Sequence, residues 1–288
     1  MKRWAWIFFF TILICCFICI PVISQETSYA DSSVCSETPN KINVKLWGEL
    51  YNESVSFYRV EENFISCSHI RQGVKIYRVH KISFEPYFLF RYGKDLQKDF
   101  WNNKFETGVG FRLRWSQNIF LAIYPEWIRG HYIDMSEEYA HYSSENYNDF
   151  RTGLIFWYGW DKQLFAAPSA YFPLNYWGEL YSDVTYYRSQ RNNVIGYFSA
   201  KVGFRPLKLW ISTIDFYATA YLSKDVNKDF WNNKVEYGPG IWFRPIYDLK
   251  LYIEWIWGNY FGIEGLDPNP YNQNYWDRRM GIIFWIGW

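Results

Sequence analysis

The chain has 288 residues, with 30 Lys and Arg against 29 Asp and Glu, a formal net charge of +1. That balance argues against a nucleic-acid partner, which draws on a basic excess. An aromatic content of 23% excludes a disordered chain, and a mean hydropathy of −0.29 excludes a bundle of transmembrane helices.

Residues 1–30 read as a secretory signal peptide. Lys2 and Arg3 open it, Ala5 to Ile23 is almost wholly apolar, and Ser28 and Ala30 set small residues before a cut at Asp31. Cleavage after Ser24 is a second option, and an uncleaved anchor helix over Trp4 to Ile23 is a third. Cys15, Cys16 and Cys19 lie within the apolar run rather than after it, which argues against a lipoprotein signal. Removing 1–30 leaves equal numbers of acidic and basic residues. Residues 31–43 then form a short periplasmic tail. Cys35 and Cys67 are the cysteines that remain, and in an oxidising compartment they either pair or stay as thiols. Beyond residue 30 no CxxC or Cys/His spacing marks a metal, and no phosphate loop or nucleotide fingerprint marks a cofactor, so none is expected.

From residue 44 onward the chain alternates apolar and polar residues, the period-two signature of strands. The alternation predicts strands at 44–59, 63–78, 82–93, 104–115, 119–133 and 148–160. It predicts six more at 177–188, 193–204, 210–222, 235–245, 249–262 and 276–288. The second six repeat the first. Lys94 to Glu106 recurs 130 residues later as Lys224 to Glu236, with ten of thirteen positions identical. Trp47-Gly48-Glu49-Leu50-Tyr51 recurs at the same offset. Glu126-Trp127-Ile128 recurs at 128 as Glu254-Trp255-Ile256, and Phe156-Trp157-Tyr158-Gly159-Trp160 as Phe284-Trp285-Ile286-Gly287-Trp288. The chain is a tandem duplication: repeat one over 44–160, a linker over 161–176 and repeat two over 177–288.

The fourth, eleventh and last of these segments set an uncharged face against a more polar one. In the fourth, Phe105, Thr107, Val109, Phe111, Leu113 and Trp115 oppose Glu106, Gly108, Gly110, Arg112 and Arg114. A soluble sandwich would bury the first face; a membrane barrel turns it to lipid and the charges inward. Strand length favours the barrel, since soluble strands run to about 5–6 residues and membrane-crossing ones need about 9–11. Trp and Tyr near strand ends suit interfacial girdles. Connections after the third and fifth strands of each repeat (94–103, 134–147, 223–234, 263–275) are longer than those at 79–81, 116–118, 205–209 and 246–248. Two features depart from that pattern: a short first loop in each repeat and a long 161–176 linker.

The ending Gly281-Ile282-Ile283-Phe284-Trp285-Ile286-Gly287-Trp288 resembles the carboxy-terminal signal of Gram-negative outer-membrane β-barrels. That resemblance covers 42–288 and implies an all-β, twelve-stranded antiparallel transmembrane barrel in the outer membrane, built from two six-stranded repeats. It implies lipid and lipopolysaccharide as surroundings, and a barrel-assembly machinery that reads the strand ending at Trp288. The Asp-Phe-Trp-Asn-Asn block with Glu-x-Gly-x-Gly also looks like the carboxy-terminal barrel of phage-adsorption protein A and exopolysaccharide outer-membrane proteins, although the helical repeats that precede that barrel have no counterpart here. Oligomeric state is left open.

In such a barrel the lumen-lining candidates are Glu49, Glu85, Arg91, Glu106, Arg112, Arg114 and Glu126, then Glu179, Asp215, Glu236, Arg244 and Glu254. Tyr87, Tyr124, Tyr217 and Tyr252 lie between them. They form either a structural network of paired charges or a solute path with carboxylate acceptors and aromatic stacking faces. The duplicated loops offer Lys98, Trp101, Lys104, Lys228, Trp231 and Lys234, as hairpin caps anchored by Trp or as a paired site for an anionic glycan or lipid head group. None of His69, His80, His131 and His141 recurs in the repeat, and no nucleophile or acid is spaced to make a triad. The sequence therefore indicates a non-enzymatic barrel: a narrow channel, or an export or structural component for small or saccharide-like solutes. A closed-lumen adhesin or receptor is the alternative, and a rim enzyme using His131 and His141 a second.

Overall fold

A computed structural model describes residues 43–58, 62–77, 82–98, 101–116, 119–134, 146–163, 174–189, 192–228, 232–261 and 274–288. The expected signal peptide, most of the tail and Cys35 lie outside the described residues. So do His80, His141, Trp231 and most of the connections at 133–145, 164–174 and 261–273.

Alternating sequence becomes twelve strands: β1 (Asn43–Phe57), β2 (Asn63–Tyr77), β3 (Ile82–Asp95), β4 (Lys104–Ser116), β5 (Phe120–Tyr132), β6 (Asn146–Gln163), β7 (Asn175–Tyr187), β8 (Asn193–Leu209), β9 (Ser212–Asp225), β10 (Lys234–Ile246), β11 (Leu249–Tyr260) and β12 (Asn274–Gly287). Each pairs with its neighbours in sequence, and β1 closes the ring on β12. All pairings are antiparallel, from Asn43 against Tyr77 to Leu249 against Phe284. An even strand number brings both chain ends of the ring to one rim. That rim, the turn end, also carries the connections 78–81, 117–119, 164–174, 210–211 and 247–248; the opposite rim, the loop end, carries the other six. A 13-residue strand such as β4 is about 43 Å long, and a tilt of about 40° lets it cover about 33 Å, enough for a bilayer core.

Polarity is inverted relative to a soluble protein. Phe88, Val109, Leu113, Ile123, Trp127, Val202, Phe216, Ile253 and Ile282 are exposed on the outside. Glu85, Glu106, Glu126, Asp215 and Asp277 are 0% exposed inside. Exposed aromatics gather at the rims: Trp115, Trp210, Tyr247 and Trp288 at the turn end, Tyr58, Trp257 and Trp276 at the loop end.

The two halves meet through one joint used twice. Gly159 pairs with Glu179 and Arg151 with Tyr187 between β6 and β7. Gly287 pairs with Glu49 and Arg279 with Phe57 between β12 and β1, the same register moved by the repeat offset. In both joints a terminal Trp lies over a glycine: Trp160 on Gly178, Trp288 on Gly48. A Cβ on either glycine would overlap the indole, so closure there needs glycine.

The observed strands depart from the sequence expectation at a few ends. β6 runs to Gln163 and β7 starts at Asn175, so the linker shortens from both sides. The turn expected at 205–209 lies inside β8. Pro206 invites a turn, yet the chain absorbs it in a bulge between Phe204 and Leu207 and continues to Leu209. A second Phe-Arg-Pro triplet, Phe243-Arg244-Pro245 of β10, sits at a register shift between Phe243 and Ile246.

Candidate functional site: the charged lumen

The interior is built from inward positions of all twelve strands, and the duplication gives it two matched walls. On wall one, Glu106 (β4) receives Arg151 and the Tyr147 hydroxyl from β6, and the Arg151 Nε donates to Asp149 at 2.7 Å. On wall two, Glu236 (β10) receives Arg279 and the Tyr275 hydroxyl from β12, with Asp277 beside Arg279 at 3.6 Å. Lys104 and Lys234 complete the sets, 3.8 and 3.5 Å from the same glutamates.

A second matched pair lies deeper. The Tyr87 hydroxyl donates to Glu126 at 2.8 Å and the Tyr217 hydroxyl to Glu254 at 2.9 Å. Arg91 donates to Glu126 at 2.8 Å and Arg71 stands at 3.5 Å. Their repeat equivalents are Tyr221, which donates to Glu254 at 2.7 Å, and Lys201 at 3.7 Å. Toward the turn end, Arg112 donates to Glu85, with Lys75 and Arg114 at 3.8 and 3.9 Å. Arg205 and Arg244 bind Asp215 in the other half. Buried charges held in this way neutralise each other and tie the register of neighbouring strands.

The halves diverge around Glu49 and Glu179. Glu49 receives Arg71 at 2.6 Å, with Arg112 at 3.6 Å and His69 at 4.0 Å. Arg112 also lies over Trp47, 4.0 Å from its ring. In the second half Trp242 replaces Arg112 and stacks on Trp177 at 4.6 Å, and Glu179 has no ion pair among the described residues. Glu53 and Asp183 are likewise without an ion pair. Glu53 accepts hydroxyls from Tyr51 at 2.6 Å and Tyr252 at 3.1 Å, while Asp183 accepts from Thr185 at 2.6 Å and Tyr181 at 3.4 Å.

All twelve lumen-lining candidates thus sit on the inner wall. Sequence reasoning missed Glu53, Arg71, Asp183, Lys201, Arg151 and Arg279. The last two were findable, because Tyr-x-Asp-x-Arg recurs as Tyr147, Asp149, Arg151 and Tyr275, Asp277, Arg279. Arg71 was hidden because its repeat equivalent is Lys201.

The duplicated loops are clasped from within. Asp95, at the end of β3, accepts amides from Asn103 at 2.6 Å, Asn102 at 2.7 Å and Asn63 at 3.3 Å. Asp225 accepts from Asn233, Asn232 and Asn193 at 2.7, 3.0 and 3.1 Å. The Asn63 and Asn193 carbonyl oxygens take backbone N–H groups from Leu96 and Val226. Lys98 and Lys228 hold left-handed φ of 62° and 63°. The asparagines common to the two loops thus make the same contacts in both. Lys104 and Lys234, expected as loop ligands, instead open β4 and β10 and turn toward Glu106 and Glu236, because a buried carboxylate attracts the nearest ammonium. Lys98 reaches Asp134 at 2.9 Å and Lys94 reaches it at 3.1 Å; together they hold the Asp134 carboxyl below its ordinary pKa. Trp101 is half-buried. His131 contacts Asn146 at 3.2 Å.

No protein-family model matches the chain, and comparison with curated protein sequences finds no match. Among solved structures it is similar to the β domain of the Bordetella autotransporter BrkA, at 10% identity and TM-score 0.37 over 84% of this chain and 98% of that one. The NanC porin aligns at 11% identity and TM-score 0.37 over 82% and 98%. An outer-membrane channel from Pseudomonas putida aligns at 9% identity and TM-score 0.36 over 91% and 100%. The barrel itself gives the classification: closed, antiparallel, apolar outside and charged within, the chain is a transmembrane β-barrel of the outer-membrane type.

Proposed function

We propose that the chain is a narrow channel in the outer membrane of a Gram-negative bacterium, passing small polar solutes, saccharide-like ones among them, without catalysing a reaction. One observation carries this reading: Glu53, Glu179 and Asp183 point inward without an ion pair and are only half-buried. A plug that served structure alone would neutralise its charges, as most of this wall does. Uncompensated carboxylates call for water beside them, and a watered strip along the wall is a path for solutes. Tyrosines Tyr51, Tyr181, Tyr197 and Tyr221 border it, with Tyr181 and Tyr197 6.0 Å apart and Tyr197 and Tyr221 6.3 Å apart. On this reading the outer face meets lipid and lipopolysaccharide, and the barrel-assembly machinery reads β12 through Trp288.

Planar-bilayer recording of the refolded chain tests the proposal. The expected result is a small, stable conductance with cation preference, reduced by Asp183→Asn and Glu53→Gln. Silence under all voltages would reject it. The clasped loops favour the closed-lumen receptor as the reading that silence would leave.

A further inference from the structure

We infer that the turn end of the second half holds a binding site for a small zwitterionic solute of the amino-acid type, its ammonium against Glu179 and its carboxylate against Lys250. The channel reading enters only as the route by which solute reaches the site.

Four polar groups gather there with no hydrogen-bond or ion-pair partner among the described residues. Glu179 makes no hydrogen bond or ion pair within 4.0 Å. Lys250 has no ion pair and rests over the Trp242 ring at 4.3 Å. Trp242 in turn stacks on Trp177 at 4.6 Å, and Trp177 precedes Glu179 by two residues on the same face of β7. The indole Nε1 atoms of Trp177 and Trp242 are buried donors without acceptors, in residues 5% and 2% exposed. An acid and a base set beside one tryptophan pair without an ion pair between them are complementary to a molecule carrying both charges. A neutral polyol would leave both uncompensated, and a simple anion would leave Glu179 so.

The duplication supplies an internal comparison. At the equivalent place in the first half, Arg112 stands for Trp242 and Ala122 for Lys250. There Glu49 is bound by Arg71 and approached by Arg112, so its charge is paired, although the Trp47 indole Nε1 is a buried donor without an acceptor like that of Trp177. The second half carries Lys201 where the first has Arg71, Trp242 where it has Arg112, and Lys250 where it has Ala122, and Lys201 turns to Glu254 rather than to Glu179. A structural role would not need these differences.

The test uses the full mature chain refolded in detergent, with glycine as probe and glucose and acetate as controls. Tryptophan emission is expected to change with glycine at millimolar concentration and to stay flat with the controls. Glu179→Gln and Lys250→Met should each weaken the response at least tenfold. The double variant Trp242→Arg with Lys250→Ala, which copies the first half, should abolish it while keeping a heat-modifiable, folded barrel. Glucose acting as well as glycine, or glycine binding that survives the double variant, would overturn the inference. So would no glycine response from a barrel that conducts. A silent barrel that still binds glycine would sink the channel and leave the site standing.

Discussion

Glu49 and Glu179 occupy the same place in the two halves, 130 residues apart, yet Glu49 is bound by Arg71 at 2.6 Å while Glu179 has no ion pair among the described residues. The two halves share a frame and differ in how the charges of this wall are paired. The predictions below separate that frame from its contents.

Inverted polarity predicts an inverted response to charge. Val109 lies midway along β4 with its side chain outward and exposed. In lipid, Val109→Arg should cost about 2–4 kcal/mol. On a soluble surface the same change would fall within about 0.5 kcal/mol. Urea unfolding of the protein in vesicles distinguishes the two.

Arg279 serves Glu236 on a neighbouring strand pair, and Glu236 is almost wholly buried. Arg279→Met should destabilise the barrel by about 3–5 kcal/mol by leaving that carboxylate without its guanidinium. Adding Glu236→Gln should return part of the loss. If the double variant is no more stable than the single one, the pair does not act as a unit.

The clasp around Asp95 predicts a local effect. Asn103→Ala removes a fully buried amide that donates to Asp95 and accepts its backbone N–H. The expected cost is about 1–3 kcal/mol, with faster protease cleavage between 96 and 103. Asn233→Ala should act alike on 226–233, since Asp225 and Asn233 repeat the geometry. Unchanged cleavage in both would contradict a clasp that holds the loops.

Acid should loosen one loop contact. Lys98 and then Lys94 depress the Asp134 carboxyl below its ordinary value. A depressed carboxyl contributes its stabilisation above the unfolded pKa and loses it as pH falls through the folded one. The Asp134 resonance should therefore titrate below the usual range near 3.9, and Lys98→Ala should raise its midpoint. A midpoint that ignores Lys98 would contradict the contact.

Much of this fold is legible in the sequence because alternation separates the two faces, as in Phe105 to Trp115 and Met280 to Trp288, and strand length with aromatic strand ends then turns the apolar face outward. The repeat gave the strand number in the same way. Pro206 misled, because proline resembles a turn and the structure used it at a bulge. Lys104 and Lys234 misled because ammonium groups beside a loop look solvent-bound, and only the fold reveals the buried glutamates beneath them. Which charges are neutralised was not legible at all. It depends on arginines such as Arg71 reaching across strand pairs, and alternation carries no information on reach.

The central claim is that these strands close a ring with apolar residues toward lipid. Electrophoretic mobility of the chain refolded into vesicles, before and after boiling, tests it most directly. The account predicts a chain that floats with the vesicles and migrates faster unboiled than boiled. A chain that stays in the soluble fraction with one mobility would contradict it, and would make Val109 and its neighbours a core and the lumen glutamates ordinary surface.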